Sequence, residues 1–182
     1  GQVWMDRNLG AHRVAQSVDD YQAYGWLYQW GRLADGHEVR SSPTTANLSW
    51  ENVPGHDNFI TSDEDPNDWR DPQHHSLWSP LFGLNNPCPD GFRVPTKTEW
   101  ETEMNSWSTQ DATGAFASPL KLVMAGWRGY TSGDVISAGE YGQYWSSTVD
   151  DSDAHHLTYL ISGAVMNSRP RAYGFSVRCI KD

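Results

Sequence analysis

Lysine is scarce in this chain: three residues in 182 (Lys97, Lys121, Lys181), against ten arginines. With 23 acidic residues and 13 basic ones, the formal net charge is −10. Nucleic acid and anionic lipid surfaces both demand clustered cations, so the charge balance excludes them as partners. No apolar run approaches the ~18 residues of a membrane-crossing helix, and no membrane insertion is expected. Cysteine is limited to Cys88 and Cys179, with no CxxC, so a four-thiolate zinc site cannot form. Two buried thiols and one disulfide across 91 residues are both compatible with that pair. No n-region or h-region opens the chain, and Gly1-Gln2-Val3-Trp4 reads as the start of a mature chain or an excised domain.

Aromatic residues are abundant instead, at 13%, including ten tryptophans. Each large ring buries ~150–250 Å², so a few rings can make a core under long polar loops although only 37% of residues are hydrophobic. The length suits one domain spanning 1–182. Neither a solenoid-period repeat nor a low-complexity tract is present.

Gln2-Val3-Trp4-Met5 has the look of a short strand. Ala23, Trp26, Leu27 and Trp30 follow i, i+3, i+4, i+7 spacing, which predicts a helix weakened by Gly25. Residues 35–90 are rich in Pro, Asn, Asp and Ser, and predict a long ordered loop pinned by Trp50, Phe59, Trp69, Trp78 and Phe82. Thr96 and Glu99 form a capping-box pattern ahead of the Trp100, Met104, Trp107 stripe, predicting a helix that ends near Ser108. Strands are expected at 120–125, 144–148, 154–162 and 175–180, with glycines in the turns. The expected class is α+β: two helices, a small mostly antiparallel sheet and long ordered loops.

Several strings resemble one family. They are Val3-Trp4-Met5-Asp6-Arg7-Asn8-Leu9-Gly10, Tyr28-Gln29-Trp30-Gly31-Arg32, Asp68-Trp69-Arg70, and Asn86-Pro87-Cys88-Pro89-Asp90-Gly91-Phe92-Arg93-Val94-Pro95-Thr96 with Glu99-Trp100. Tyr144-Trp145-Ser146-Ser147-Thr148 and Gly174-Phe175-Ser176-Val177-Arg178-Cys179 complete the set. Together they resemble the Fibrobacter major-paralogue (FISUMP) domain of bacterial surface and secreted proteins, over residues 3–181. The resemblance implies a C-type-lectin-like fold, an extracellular or cell-surface location, a Cys88–Cys179 disulfide, and C-terminal strands that face a ligand. Some members are similar to targets of diversity-generating retroelements, which mutate adenines in codons of the C-terminal segment. Asparagine codons mutated at adenine do not reach Lys, Glu, Gln, Met or Trp. Residues 146–180 contain no Lys, Glu, Gln or Trp, although these four make up 27 of the 182 residues, and Met166 is the one exception to the reachable set. A sheet-rich segment disfavours Lys and Glu as well.

Catalysis finds little footing. Gly91–Thr96 with Glu99-Trp100-Glu101 looks like a stretch of formylglycine-generating enzymes, whose oxidase chemistry uses a cysteine pair. No cysteine lies between 89 and 178, so the string is scaffold and no enzyme is expected. Adjacent histidines, His74-His75 and His155-His156, point to opposite faces of an extended chain and cannot chelate one metal. The acidic runs 63–68 and 150–153 read as solvated loops; calcium is the one cofactor they leave open. Along 155–162, alternation puts His155, Leu157, Tyr159 and Ile161 on a core face, and His156, Thr158, Leu160 and Ser162 on a displayed face. The candidate ligand-binding residues are Asp150, Asp151, Asp153, His156, Thr158, Leu160, Asn167, Arg169, Arg171 and Tyr173, recognising a protein or glycan. The alternative is a structural or interaction domain of a cell-envelope or phage-adhesin assembly.

Overall fold

A computed structural model describes all 182 residues. A 3-10 turn, Tyr21–Ala23, precedes the short strands β1 (Tyr28–Gln29), β2 (Thr44–Thr45), β3 (Phe59–Ile60) and β4 (Phe92–Arg93). Helices α1 (Lys97–Asn105) and α2 (Ala112–Ala117) follow, then β5 (Trp127–Arg128) and β6 (Val135–Ile136). Three long strands come next: β7 (Gly142–Asp150), β8 (Asp153–Leu160) and β9 (Gly163–Pro170). The chain ends with β10 (Gly174–Phe175) and β11 (Ile180–Lys181). The class is α+β, with two helices and several small sheets: β7-β8-β9, β1-β10-β5-β6 and β11-β4 are antiparallel, and β2-β3 is a parallel pair. No helix is long and apolar enough to cross a membrane.

The β7-β8-β9 sheet is two hairpins in register, Tyr144↔Leu157↔Met166 and Gln143↔Thr158↔Val165. Residues directly opposite on antiparallel strands share a face. Tyr144, Leu157, Tyr159 and Met166 therefore point one way, onto Trp100, Met104 and Trp107 of α1 and its C-terminal extension. Gln143, His156, Thr158, Val165 and Asn167 point the other way. β7 is tied on its outer edge to Ser176, whose N–H donates to the Gln143 carbonyl while the Trp145 N–H donates to the Ser176 carbonyl.

Indole N–H groups stitch the core. Trp100 donates to the Trp145 carbonyl (3.0 Å), Trp145 to Tyr28 (2.7 Å), Trp30 to Ser146 (2.9 Å) and Trp69 to Trp30 (2.7 Å). Of the five rings expected to pin residues 35–90, Phe59, Trp69 and Trp78 are buried, whereas Trp50 (78% exposed) and Phe82 (79%) are not. Cys88 and Cys179 form a disulfide.

Several expected elements differ. The stripe at 23–30 is not a helix. Gly25 adopts φ +68°, a side chain there would meet the Leu9 carbonyl, and Leu27 through Trp30 are all buried, which suits a strand enclosed on both sides. The run 120–125 joins no ladder. Its backbone bonds include ones to Ala115, Val18, Gly139 and the hydroxyls of Tyr144 and Tyr159, and Lys121 has φ +49°. The N-terminal strand reduces to one bridge, Trp4↔Ile180. The last strand splits into β10 and β11, α1 stops at Asn105, and β9 and α2 appear where no element was predicted.

Candidate functional site

Where the solvent-side face of β7-β8-β9 emerges from beneath β5 and β10, it forms a pocket of about 310 Å³. Its base comes from the sheet: Gln143, His156, Thr158, Leu160, Asn167 and Arg169. Its walls are rings. Trp127 and Tyr141 meet edge-to-face, centroids 5.4 Å apart, and Tyr173 stacks on Phe175 at 5.3 Å. The local sequence explains the build. Alternation on β8 sends His156, Thr158 and Leu160 to one side, and pairing His156↔Asn167 and Ala154↔Arg169 brings alternate β9 residues to the same side. Pairing Arg128↔Gly174 sets the Trp127 and Phe175 segments side by side.

His156 forms the floor, 1% exposed, between Phe175 (centroids 4.7 Å) and Trp145 (5.9 Å). Burial, and then the nearby charge of Arg169, holds its pKa down to about 3, so the ring is neutral. Its Nδ1 has no partner inside the protein. Arg169 is exposed and joins none of the ion pairs. No carboxylate lines the pocket.

Six of the ten sequence-predicted residues thus converge here: His156, Thr158, Leu160, Asn167, Arg169 and Tyr173. His156 lies on the expected face, but beneath the rings rather than displayed. Asp150 and Asp151 sit apart, exposed at the β7–β8 turn. Asp153 opens β8, partly buried, and its carboxyl is pushed up by burial and by Asp150. Arg171 is no surface contact: it is 1% exposed, lies over the Trp30 ring, faces Asp68 at 3.8 Å and donates to the Asp151 and Asp153 carbonyls. Trp127, Tyr141, Gln143 and Phe175 were missed. For Gln143 a signal existed, because alternation places it beside Trp145 and opposite Tyr144.

Two other places gather acidic residues. Asp63, Glu64 and Asp65 are exposed, but Asp68, the last acid of that run, is buried against Arg171 and accepts from Gln73 Nε2 at 2.9 Å. Asp35, His37 and Glu38 bring ligand-type atoms within 4.8 Å of one another. There His37 Nδ1 bonds Asp35 (2.6 Å), its Nε2 accepts from the Gln29 N–H, and Arg32 bonds Asp35 (2.7 Å). With both ring nitrogens occupied and a guanidinium alongside, that group fastens β1 in place. A larger hollow of about 610 Å³ lies between the first residues and α1, lined in part by Asp6 and Glu103.

No family model, curated protein or solved structure matches the chain.

Proposed function

We propose that this chain is an extracellular, non-catalytic ligand-binding domain of the FISUMP kind, with a C-type-lectin-like fold that presents the β8–β9 face and its ring-walled pocket to a ligand. The observation that carries the reading is the convergence of six residues, chosen by alternation and resemblance alone, on one pocket. The disulfide supports an oxidising compartment. Both cysteines are joined in it, so neither supplies a reactive thiol. Diversification by a retroelement fits the same face, because Val165, Asn167 and Arg169 are exposed and can change without touching the core.

The test combines Thr158→Ala, Val165→Glu, Asn167→Ala and Arg169→Ala. Surface substitutions cost within about 0.5 kcal/mol each, so the melting temperature should move by about 8 °C or less. Capture of the immobilised domain on bacterial cells and polysaccharide surfaces should drop at least about tenfold, which is 1.4 kcal/mol. Undiminished capture, or loss of folding, overturns the reading.

A second reading, an interaction domain within an envelope or adhesin assembly, is favoured by one feature. Leu81, Phe82 and Leu84 project from a loop tip, each at least 64% exposed.

A further inference from the structure

We infer that the ring-walled pocket takes a single acidic pyranose unit of a glycan, a uronic or sialic acid, held without a metal ion. This inference rests on the β8–β9 face being the binding surface, and it specifies the ligand chemistry there.

Size comes first. About 310 Å³ is at the small end for ligand pockets, enough for a sugar ring and too little for an extended peptide. Charge comes second. The protein carries −10, yet the pocket lining has no acid and one cation, Arg169. Arg169 has no ion-pair partner, so its planar fork is free to hold a carboxylate through two parallel hydrogen bonds. Asp153, three residues before His156 in the chain, feels the Arg169 charge without bonding it. Shape and polarity come third. A pyranose has an apolar C–H face and a rim of hydroxyls. Trp127, Tyr141 and Tyr173 offer half-buried rings for the first. Thr158, Asn167 and the nearly buried Gln143 (9% exposed) offer neutral donors and acceptors for the second. The unpartnered Nδ1 of buried His156 adds an unsatisfied polar group beneath them. An acidic protein side chain would meet Arg169 but bring only a methylene stem to these walls and no hydroxyls to the amides. Calcium-mediated binding needs carboxylate oxygens at the ligand, and the lining has none.

The probes are methyl β-glucuronide, methyl galacturonide and N-acetylneuraminic acid, with methyl β-glucoside as the uncharged control. Each is titrated into the intact domain while the indole N–H signals are followed by NMR. At least one acidic sugar should saturate with a Kd near or below about 1 mM, at least tenfold tighter than the glucoside, unchanged by EDTA. Arg169→Ala should bring it down to the level of the neutral sugar. Thr158→Trp, which fills the pocket, should abolish it; Leu160→Trp is the second filling variant should the first fail to fold.

Any of four results overturns the inference: no acidic sugar binding at about 10 mM, equal binding of the glucoside, retention in Arg169→Ala, or loss on chelation. An Asp- or Glu-containing peptide that binds through Arg169 where the sugars do not would assign the pocket to a protein partner and overturn it too. The capture experiment separates the two levels. If the four-residue face variant loses capture while the sugars fail, only the ligand assignment falls. If that variant keeps capture, the binding face itself is wrong.

Discussion

Arg178 lies wholly buried, its Nε and Nη2 on the Asn8 side chain and its Nη1 on the Met5 and Leu120 carbonyls. Arg128 does the same for Gly133 and residues 37–42 while stacked on Phe59, and Arg32 reaches Asp35, Gln29 and Asn58. Irregular backbone leaves carbonyls unpaired, and a planar five-donor fork can gather more of them at once than a three-donor ammonium. The arginine excess over lysine is thus a consequence of a loop-rich core. Buried histidines make a different prediction. Burial holds His37 at about 4 and His156 at about 3, while the unfolded chain titrates near 6.5. Between those values the native state binds fewer protons than the unfolded state, so stability is present above pH 6.5 and is lost as pH falls. Asp68 runs the other way. Burial raises it to about 6, so its contribution is present at low pH and is lost as pH rises through 6. Two imidazoles outweigh one carboxyl, and urea unfolding at pH 5 should show roughly 2–3 kcal/mol less stability than at pH 7.5. His156→Phe, which keeps a ring against Trp145 and Phe175, should cut that difference to under about 1 kcal/mol. An unchanged difference would show that His156 is protonated in the fold. Alternation was enough to place His156 on its face. Its burial was not legible, because the covering rings come from residues 173–175, brought over by pairing no local pattern reveals.

At the scale of elements, what was legible is what is local. The α1 start needs four consecutive residues, and the structure has both halves of the box. The Thr96 side chain accepts from the Glu99 N–H (3.3 Å), and Glu99 accepts from the Thr96 N–H (2.7 Å). Glu99 also takes both arms of Arg93 (2.7 and 2.8 Å), tying the helix start to β4. Thr96→Ala should cost about 1 kcal/mol, read as a lower urea midpoint with an unchanged slope. A change under about 0.3 kcal/mol would mean the Arg93 pair alone fixes the turn. The elements misread from sequence are those whose backbone bonds run to distant segments. Residues 120–125 have the apolar run of a strand, but their partners are the loop at Val18, α2, Gly139, two tyrosine hydroxyls and the guanidiniums of Arg40 and Arg178. β9 was hidden for the opposite reason. Its outward residues, Val165, Asn167 and Arg169, are mixed and its inward ones, Ala164 and Met166, are modest, so only pairing to β8 reveals it.

At the scale of the molecule, the first residues, β4 and the C-terminus are joined at one place. β11 pairs β4, the Met5 N–H donates to the Cys179 carbonyl, the Lys181 N–H donates to Val3, and the disulfide ties the end of the long irregular segment to the same spot. The β7-β8-β9 sheet, by contrast, is built from consecutive hairpins and needs no such closure to set its register. Scaffold closure and displayed face are therefore separable. In the chain-entropy model a cross-link over 91 residues stabilises by about 4–5 kcal/mol, a large share of the 5–15 typical of a domain. A Cys88→Ala/Cys179→Ala variant should lose about that much in urea unfolding and, at urea concentrations where it remains folded, keep the oxidised domain's affinity for whatever the β8–β9 face binds. A loss under about 1 kcal/mol would show that the buried rings of the long segment already restrain it in the unfolded chain. A loss of affinity in the folded variant would show that closure shapes the pocket as well as the scaffold.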